Sequence, residues 1–578
     1  MENVAIGIDL GTTNSEVAVV VDGIVRVLEI DDSRLLPSVV GLSDSGDLLV
    51  GQAARNQYAL RPEATIRSIK RRMGEDIKIP LGKQDYTPQE ISALILKRLK
   101  SAAEQSLGTT VDQAVITVPA YFSDAQRQAT RDAGLLAGLD IQRIINEPTA
   151  AVLAYESSES QARNVLVYDL GGGTFDVSVV RLADDVNQVL ASHGNNHLGG
   201  DDFDALILRQ LVERIRDEHG FDINDDGAAM ARLSRAAEAA KITLSDAPYA
   251  RIEEEYLCER DGQPVHLSLE LSRDDYDALI SPLIEETLDA VHIALEGADL
   301  TVSDMDEVLL VGGATRTPLV QRRLADTLRR TPRSDLDPDL CVASGAATQA
   351  ATLAGMPAAR ILVDITPYTF GTSALDQLDG VMYPYTYVPL IRKNSPIPVT
   401  KSEAFATVMD GQTAIEVNVY QGEAPDALDN IKIGEFRVEG LSDVPAGNII
   451  VTTFALDLNG ILEVTAQEKS TGLEKRITID NATSRFAQEE LGEARQRLGA
   501  LIEGETLSSA EDTERRTHVQ ANALIDKAER LMEEALSEDA EDLVDGIEAI
   551  RDAMQQQDEK ALAQAMEDLS DLIFYLES

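Results

Sequence analysis

One pattern occurs twice in this chain, and that repetition limits the folds open to it more than any other feature. Near the start, the β-branched run Val4 to Leu10 carries Asp9 and ends in the small-residue turn Gly11-Thr12-Thr13-Asn14. Two alternating segments follow, Glu16 to Val21 and Ile24 to Ile30, joined by Asp22-Gly23. At Val165 the plan repeats: a strand-like run carrying Asp169, the turn Gly171-Gly172-Gly173-Thr174, then Phe175-Asp176 and the segments Val177 to Leu182 and Val186 to Ser192. An Asp-Gly pair between alternating runs predicts a hairpin. Two copies of strand, turn and strand predict two related lobes facing a cleft.

The turns themselves indicate what the cleft holds. Each follows a carboxylate at a strand end and exposes backbone N–H groups and hydroxyls, the equipment that grips phosphate oxygens. Three consecutive glycines weaken a chain unless something must approach its backbone closely. Asp9 is placed to hold a divalent cation through water, since magnesium keeps several of its own waters. Two further glycine pairs, Gly199-Gly200 after Leu198 and Gly312-Gly313 after Leu309 to Val311, sit in similar settings. No G-x-x-x-x-G-K-S/T and no G-x-G-x-x-G occurs, which excludes the P-loop and Rossmann solutions. The cleft is then of the actin and sugar-kinase type.

Two other residues have open readings on chemistry alone. Glu147, in Glu147-Pro148-Thr149, follows Ile144-Ile145 and precedes a helical segment; it is either a helix-end charge worth about 0.3–1 kcal/mol or a catalytic carboxylate. Lys70, in Ile69-Lys70-Arg71-Arg72-Met73-Gly74, is either one of a solvated basic trio or a cation of the cleft. His193 and His197 are four apart, but Gly194-Asn195-Asn196 between them predicts a loop, so a helical metal-ligand pair is not expected.

Around these motifs, Thr87-Pro88-Gln89-Glu90 opens a helix with a capping box and Gly108 closes it. A second helix begins after Ser123 with Gln126 three residues on and stops near Gly138. From Ile365 to Asp480 the apolar period becomes two, with turns at Asp410-Gly411, Asn459-Gly460 and Thr471-Gly472, which predicts an antiparallel β domain. From about Ser484, Gly and Pro nearly vanish and apolar residues recur at helical spacing, as in Leu524, Ala528, Leu531, Leu536 and Leu562, Met566, Leu569, Leu572.

At 578 residues the chain needs more than one core. Acidic residues exceed basic ones by 49, so unspecific binding to nucleic acid or to an anionic membrane is not expected. No run approaches the roughly eighteen apolar residues of a membrane span. The N-terminal segment lacks the pattern of an export signal, and the two cysteines, Cys258 and Cys341, cannot form a disulfide framework. A reducing cytoplasm is the expected location.

Taken together, the motifs resemble the seventy-kilodalton heat-shock chaperones, the DnaK family. The residues that carry the resemblance are Ile8 to Ser15, Val118-Pro119-Ala120-Tyr121-Phe122, Ile145 to Ala151, Asp169 to Asp176, Leu198 to Asp204, Glu238 to Ser245 and Val311 to Arg316. The resemblance implies an α/β actin-like two-lobed ATPase domain over residues 1–358 and an interdomain linker over 359–364. An antiparallel β-sandwich that binds peptide, over 365–482, and a short α-helical lid over 483–578 would follow. It implies ATP and ADP as ligands, with Mg2+ and K+. Thr12, Thr13, Thr174 and Lys70 would surround the γ-phosphate. Glu147, Asp169 and Asp176 would lie near the attacking water and the magnesium. Glu238, Lys241, Ser245, Gly312, Arg316 and Asp339 would surround the adenosine.

By the same resemblance Pro119 and Arg127 would relay the nucleotide state to the linker residues Leu362 and Asp364. Phe405, Val408, Ile415 and Val417 would line or support the groove for an extended apolar peptide. Implied partners are unfolded or specific client polypeptides and a J-domain co-chaperone, with an exchange factor left open. Arg360 stands where the family has an apolar residue, the segments after Met73 and Ser245 are short, and Thr372 to Asp379 is enlarged, which looks closest to the HscC-type branch. A small-molecule kinase or an actin-like filament protein would share the cleft, but neither has a use for residues 365–578.

Overall fold

The duplication is visible in the order of the strands. In the computed structural model the residues described are 4–155, 162–183, 186–260, 262–333, 337–356, 360–478, 490–499, 501–502 and isolated positions up to 570. In the first lobe Gln113–Val118 runs parallel to Ala5–Asp9, which pairs antiparallel with Asn14–Val21 and, through it, with Ile24–Val27. In the second, Glu307–Val311 runs parallel to Arg163–Leu170, which pairs antiparallel with Phe175–Ala183 and then Val186–Asn195. The matching plan puts Asp9 and Asp169 at equivalent strand ends. The first sheet adds Asp140–Asn146 and the short Leu36–Pro37, and the second adds Ile361–Val363.

The lobes meet through two helices, Glu147–Ala154 and Cys341–Leu353. The second is built almost entirely of small residues, and the reason is proximity: a Cβ on Gly345 would sit 1.7 Å from the Ala150 carbonyl oxygen. Around this crossing Val115, Ile145, Val165, Val167, Val342 and Ala346 form a core shared by both sheets. A separate core in the second lobe is centred on Tyr168, Phe175, Phe203, Ile207 and Tyr276.

The predicted helix starts are present atom by atom. Thr87 and Glu90 exchange the capping-box bonds ahead of Pro88–Leu107, Gly108 closes that helix in the left-handed conformation, and Ser123 and Gln126 do the same for Asp124–Leu136. Cys341 is buried and Cys258 half-buried, both free.

Residues 365–478 form two four-stranded antiparallel sheets. One orders Val381–Ile391, Phe370–Leu378, Ala414–Gln421 and Ile431–Glu439; the other orders Val399–Ala406, Ile449–Leu456, Leu462–Glu468 and Glu474–Thr478. Phe370, Ile391, Val419, Phe436, Phe454, Leu462 and Val464 fill the space between them. The chain divides into two compact units, residues 1–495 and 496–578, so both lobes and the sandwich belong to the first. In the second, Ala528, Leu562, Met566 and Leu569 are helical, while Leu524, Leu531, Leu536 and Leu572 lie outside the described residues.

Candidate functional site: a cleft between duplicated turns

A cleft of about 650 Å³ opens between the lobes, and both glycine turns face it. Local hydrogen bonds hold each turn. The Gly11 amide donates to Ser15 Oγ at 3.2 Å while Ser38 Oγ donates to the Gly11 carbonyl at 2.8 Å. In the second lobe the Gly171 amide donates to the Thr174 carbonyl at 3.1 Å, and the Gly200 and Asp201 amides donate to the Gly171 and Gly172 carbonyls. The two turns touch: a Cβ on Gly172 would lie 1.9 Å from Thr13 Oγ1. Contact therefore requires glycine at 172 and at 173, where a Cβ would lie 2.6 Å from Thr12, whereas a Cβ on Gly171 would meet nothing nearer than 3.7 Å.

Of the predicted residues, Asp9, Gly11, Thr12, Thr13, Asn14, Lys70, Glu147, Asp169, Gly171, Gly172, Thr174 and Gly200 line the cleft. So do Glu238, Lys241, Ser245, Gly312, Gly313, Arg316 and Asp339 at its other end. Gly173, Gly199 and Asp176 are not among the lining residues. Gly173 packs against Thr12 and Arg71, and Gly199 against the Gly172 backbone. Asp176 stands across from Asp169 on the neighbouring strand, and its carboxylate accepts the Ala120 amide at 2.8 Å and the Tyr121 amide at 3.2 Å.

Charge at the floor of the cleft is unbalanced. Lys70 is buried and ion-paired with Glu147. Burial works against the ammonium, but Glu147 and Asp9 outweigh it and hold Lys70 above its usual value. Burial pushes Glu147 up to about 7 in spite of Lys70. Burial likewise raises Asp9, and raises Asp169 well above its ordinary range, with Glu147 and Asp176 adding to the latter. Asp169 Oδ2 is buried and has no hydrogen-bond partner. An orphaned carboxylate oxygen among excess acids fits a cation at this point. Among the described residues no three His, Cys, Asp or Glu side chains converge as ligands. Such a cation would therefore complete its shell with water and phosphate oxygens, as magnesium does.

At the far end, Lys241 Nζ meets Asp204 Oδ2 at 2.8 Å and Arg316 Nη2 meets Asp339 Oδ2 at 2.6 Å. Glu238 is bound by Arg55 of the first lobe at 2.7 Å, which ties the lobes across the opening. Sequence reasoning missed Glu16, the cross-strand partner of Asp9, which is buried and lines the cleft. Its signal is a carboxylate on the buried face of an otherwise apolar strand.

The residues expected to relay state also come together. Ile361–Val363 adds to the second sheet, parallel to Val186–Asn195, with Leu362 opposite Asn187. Arg360 Nη1 reaches Asn187 Oδ1 at 3.3 Å, so the polar residue at the head of the linker has a polar partner. Asn146 Nδ2 donates to the Asp364 carboxylate, 2.8 Å from Oδ1 and 2.9 Å from Oδ2. Arg127 Nη2 donates to Asn146 Oδ1 at 2.6 Å and to the Ala120 carbonyl, beside Pro119, at 3.1 Å. Asn146 immediately precedes Glu147, so the Asp364 carboxylate is one hydrogen-bonding step and one residue from the cleft. From the sandwich, Asn459 Oδ1 accepts the Ile144 amide at 3.1 Å.

The four groove residues divide. Val417 belongs to the sandwich core and Ile415 packs partly against it, whereas Phe405 is half-buried and Val408 is exposed on the loop that follows its strand. One expectation is corrected: the strand Val186–Asn195 runs through Gly194 and Asn195, so His193 is a strand residue whose ring meets the Tyr121 ring edge-on at 5.2 Å. Gly194 stays in the strand because it pairs with Asp176, and Asn195 with Phe175, in the antiparallel ladder.

Two duplicated lobes closing on paired phosphate-type turns define an actin-like, nucleotide-hydrolysing engine, here followed, after the strand Ile361–Val363, by a β-sandwich. The Hsp70 protein family description matches residues 5–81 and 75–576. A chaperone protein DnaK of Thermotoga neapolitana is 46% identical over 483 residues, covering 82% of this chain and 80% of that protein. A chaperone protein DnaK of Thermosipho africanus is 44% identical over 541 residues, covering 92% and 88%. The chain belongs to the Hsp70 family. It is an ATP-dependent molecular chaperone and an ATPase that binds ATP and ADP, and nothing in the matches favours a small-molecule kinase or a filament protein. Among the described residues no helix is long and apolar enough to cross a membrane.

Proposed function

We propose that the cleft hydrolyses ATP with Thr12, Thr13, Thr174 and Lys70 around the γ-phosphate and with Glu147 orienting the attacking water. Phosphoryl transfer to water needs positioning and charge neutralisation more than covalent chemistry. The turn amides and the buried Lys70 supply fixed positive charge without reorganising. Glu147, held against Lys70 and pushed up to about 7 by burial, sits at a proton affinity suited to taking a proton from water near neutral pH. Asp9 and Asp169 would hold Mg2+ through its waters, and that ion would neutralise phosphate charge; K+ would share the same region. Asp176 steadies the site from behind. Glu238, Lys241, Ser245, Gly312, Gly313, Arg316 and Asp339 would hold the adenosine.

In this reading residues 1–358 are the ATPase domain, 359–364 the linker, 365–482 the peptide-binding sandwich and 483–578 a helical lid. ATP favours the docked arrangement with fast peptide exchange; hydrolysis releases the linker through Asp364, Asn146 and Arg127 and slows exchange. Coupling between two sites typically amounts to about 1–3 kcal/mol. Extended apolar segments of unfolded or specific clients would occupy the sandwich near Phe405 and Val408. A J-domain protein would act as co-chaperone in the cytoplasm. The observation that carries the reading is that Asp364 and Arg127 both bond the side chain of Asn146, the residue beside Glu147.

Its test is steady-state ATP hydrolysis with and without an unfolded apolar peptide, alongside fluorescence anisotropy of that labelled peptide in ATP and in ADP. Faster hydrolysis with peptide, and slower peptide release in ADP, are expected. Glu147→Ala should retain ATP binding while turnover falls by about 10²-fold or more, as for loss of a positioned general base. Unchanged turnover in that variant would remove Glu147 from the chemistry.

A further inference from the structure

The turn of residues 119–122 does two jobs, and a tyrosine from outside the lobes holds it. Its Ala120 and Tyr121 amides both donate to the Asp176 carboxylate, at 2.8 and 3.2 Å. Its Tyr121 carbonyl accepts the Tyr368 hydroxyl at 2.6 Å. The Tyr121 and Tyr368 rings also meet, with centroids 4.9 Å apart. Tyr368 follows the linker by four residues and is fixed by its own neighbourhood: its amide donates to Thr366 Oγ1 at 3.3 Å, and Phe370, two residues on, lies in the sandwich core. The same Tyr121 carbonyl accepts Asn196 Nδ2 at 2.8 Å, from within the second lobe.

We propose that Tyr368 is a positioning residue: with its hydroxyl on the Tyr121 carbonyl it fixes the two amides that aim Asp176, so the docked sandwich sets the posture of a carboxylate behind the cleft. The peptide group makes the link stiff. A carbonyl held by a donor on one side fixes the plane of the peptide that it begins, and the Tyr121 amide belongs to the adjoining plane of the same tight turn. The carboxylate also lies directly against the Gly194 backbone, where a Cβ would come 2.3 Å from Asp176 Oδ1, so only glycine there leaves Asp176 its place. When the sandwich leaves, Asn196 still bonds the carbonyl, so the turn survives but loses the donor that reports docking. This route runs parallel to the one through Asp364 and Arg127 and ends on a different carboxylate. The inference rests on the coupled cycle proposed above.

The test compares Tyr368→Phe, which keeps the ring and removes only the hydroxyl, with Asn196→Ala in the full chain. In Tyr368→Phe the ratio of peptide-stimulated to basal hydrolysis should fall by about threefold or more, the worth of one net hydrogen bond. KM for ATP should stay within about twofold, since ATP contacts are untouched. Hydrogen–deuterium exchange over residues 119–122 should rise in that variant with ATP and not with ADP, whereas in Asn196→Ala it should rise with both. A Tyr368→Phe protein with an unchanged ratio, or with exchange altered equally in ATP and ADP, reduces the hydroxyl to a packing contact and overturns the proposal. If the unaltered chain hydrolyses ATP but shows no stimulation by peptide, the coupled cycle itself fails and this inference goes with it.

Discussion

At the scale of single residues the cleft is governed by an excess of carboxylates that the fold keeps dry. Asp9, Glu16, Glu147 and Asp169 share a region with one buried ammonium, Lys70. Glu16 is the least expected of them. It stands opposite Asp9 in the antiparallel register, and burial raises it well above its ordinary range, with Asp9 adding to the effect. In the empty cleft that shift favours the protonated form, with Asp9 accepting its proton, so Glu16 adds attraction beside the proposed magnesium position only once a cation draws that proton off. Glu16→Gln should therefore weaken the Mg2+ dependence of ADP binding by about fivefold or more, taking roughly 1 kcal/mol for one partly screened charge. Isothermal titration of ADP at several Mg2+ concentrations would read it. An unchanged Mg2+ dependence would make Glu16 a bystander. The sequence carried only a faint sign of Glu16, one acid in an apolar run, and its meaning depends on pairing, because only the register places it beside Asp9.

At the scale of elements, what the chain announces locally is what the structure repeats. The capping boxes at Thr87 and Ser123 and the turns at Asp22-Gly23, Asn459-Gly460 and Thr471-Gly472 are contacts between residues a few positions apart, so composition reveals them. The retreat of Asp176 behind the cleft and the path of the strand through Asn195 depend on residues 55 or more positions away or on a partner strand, and no local pattern carries them. The sandwich contains one such long-range device. Glu468 is fully buried, and its carboxylate accepts the Thr471 hydroxyl, Asn448 Nδ2 at 2.5 Å and the Ser442 amide at 2.9 Å. These donors, Thr471 first, pull it down to about 2. Its folded value thus lies below the unfolded one of about 4.3, so its stabilisation is present above that pH and is lost as pH falls towards 2. Glu468→Gln should cost the sandwich about 2 kcal/mol at pH 7, the scale of hydrogen bonds to a charged group. Denaturant melts at pH 7 and pH 3 should show the gap narrowing on acidification; a constant gap would place its origin in shape and not in charge.

At the scale of the whole molecule, the acidic surplus and the linker matter most. A formal charge of −49 on one chain opposes its own compaction. Salt screens that repulsion, with a Debye length falling from about 10 Å at 0.1 M to about 3 Å at 1 M. The first thermal transition of the nucleotide-free chain should therefore move upward as KCl is raised, by several degrees for about 1–2 kcal/mol. Calorimetry at low and high KCl reads the shift, and a downward shift would mean that the surface ion pairs outweigh the general repulsion.

The linker strand has a consequence beyond signalling. Ile361–Val363 covers the outer edge of Val186–Asn195 through main-chain pairing, which is indifferent to side-chain identity and so accommodates Arg360 beside it. If the linker departs as proposed, that edge would stand with its amides and carbonyls unpaired, the kind of rim on which foreign strands add. In the proposed cycle a protein that works among half-folded chains would then carry its own removable seal, opening that seam at each turn until the next nucleotide closes it.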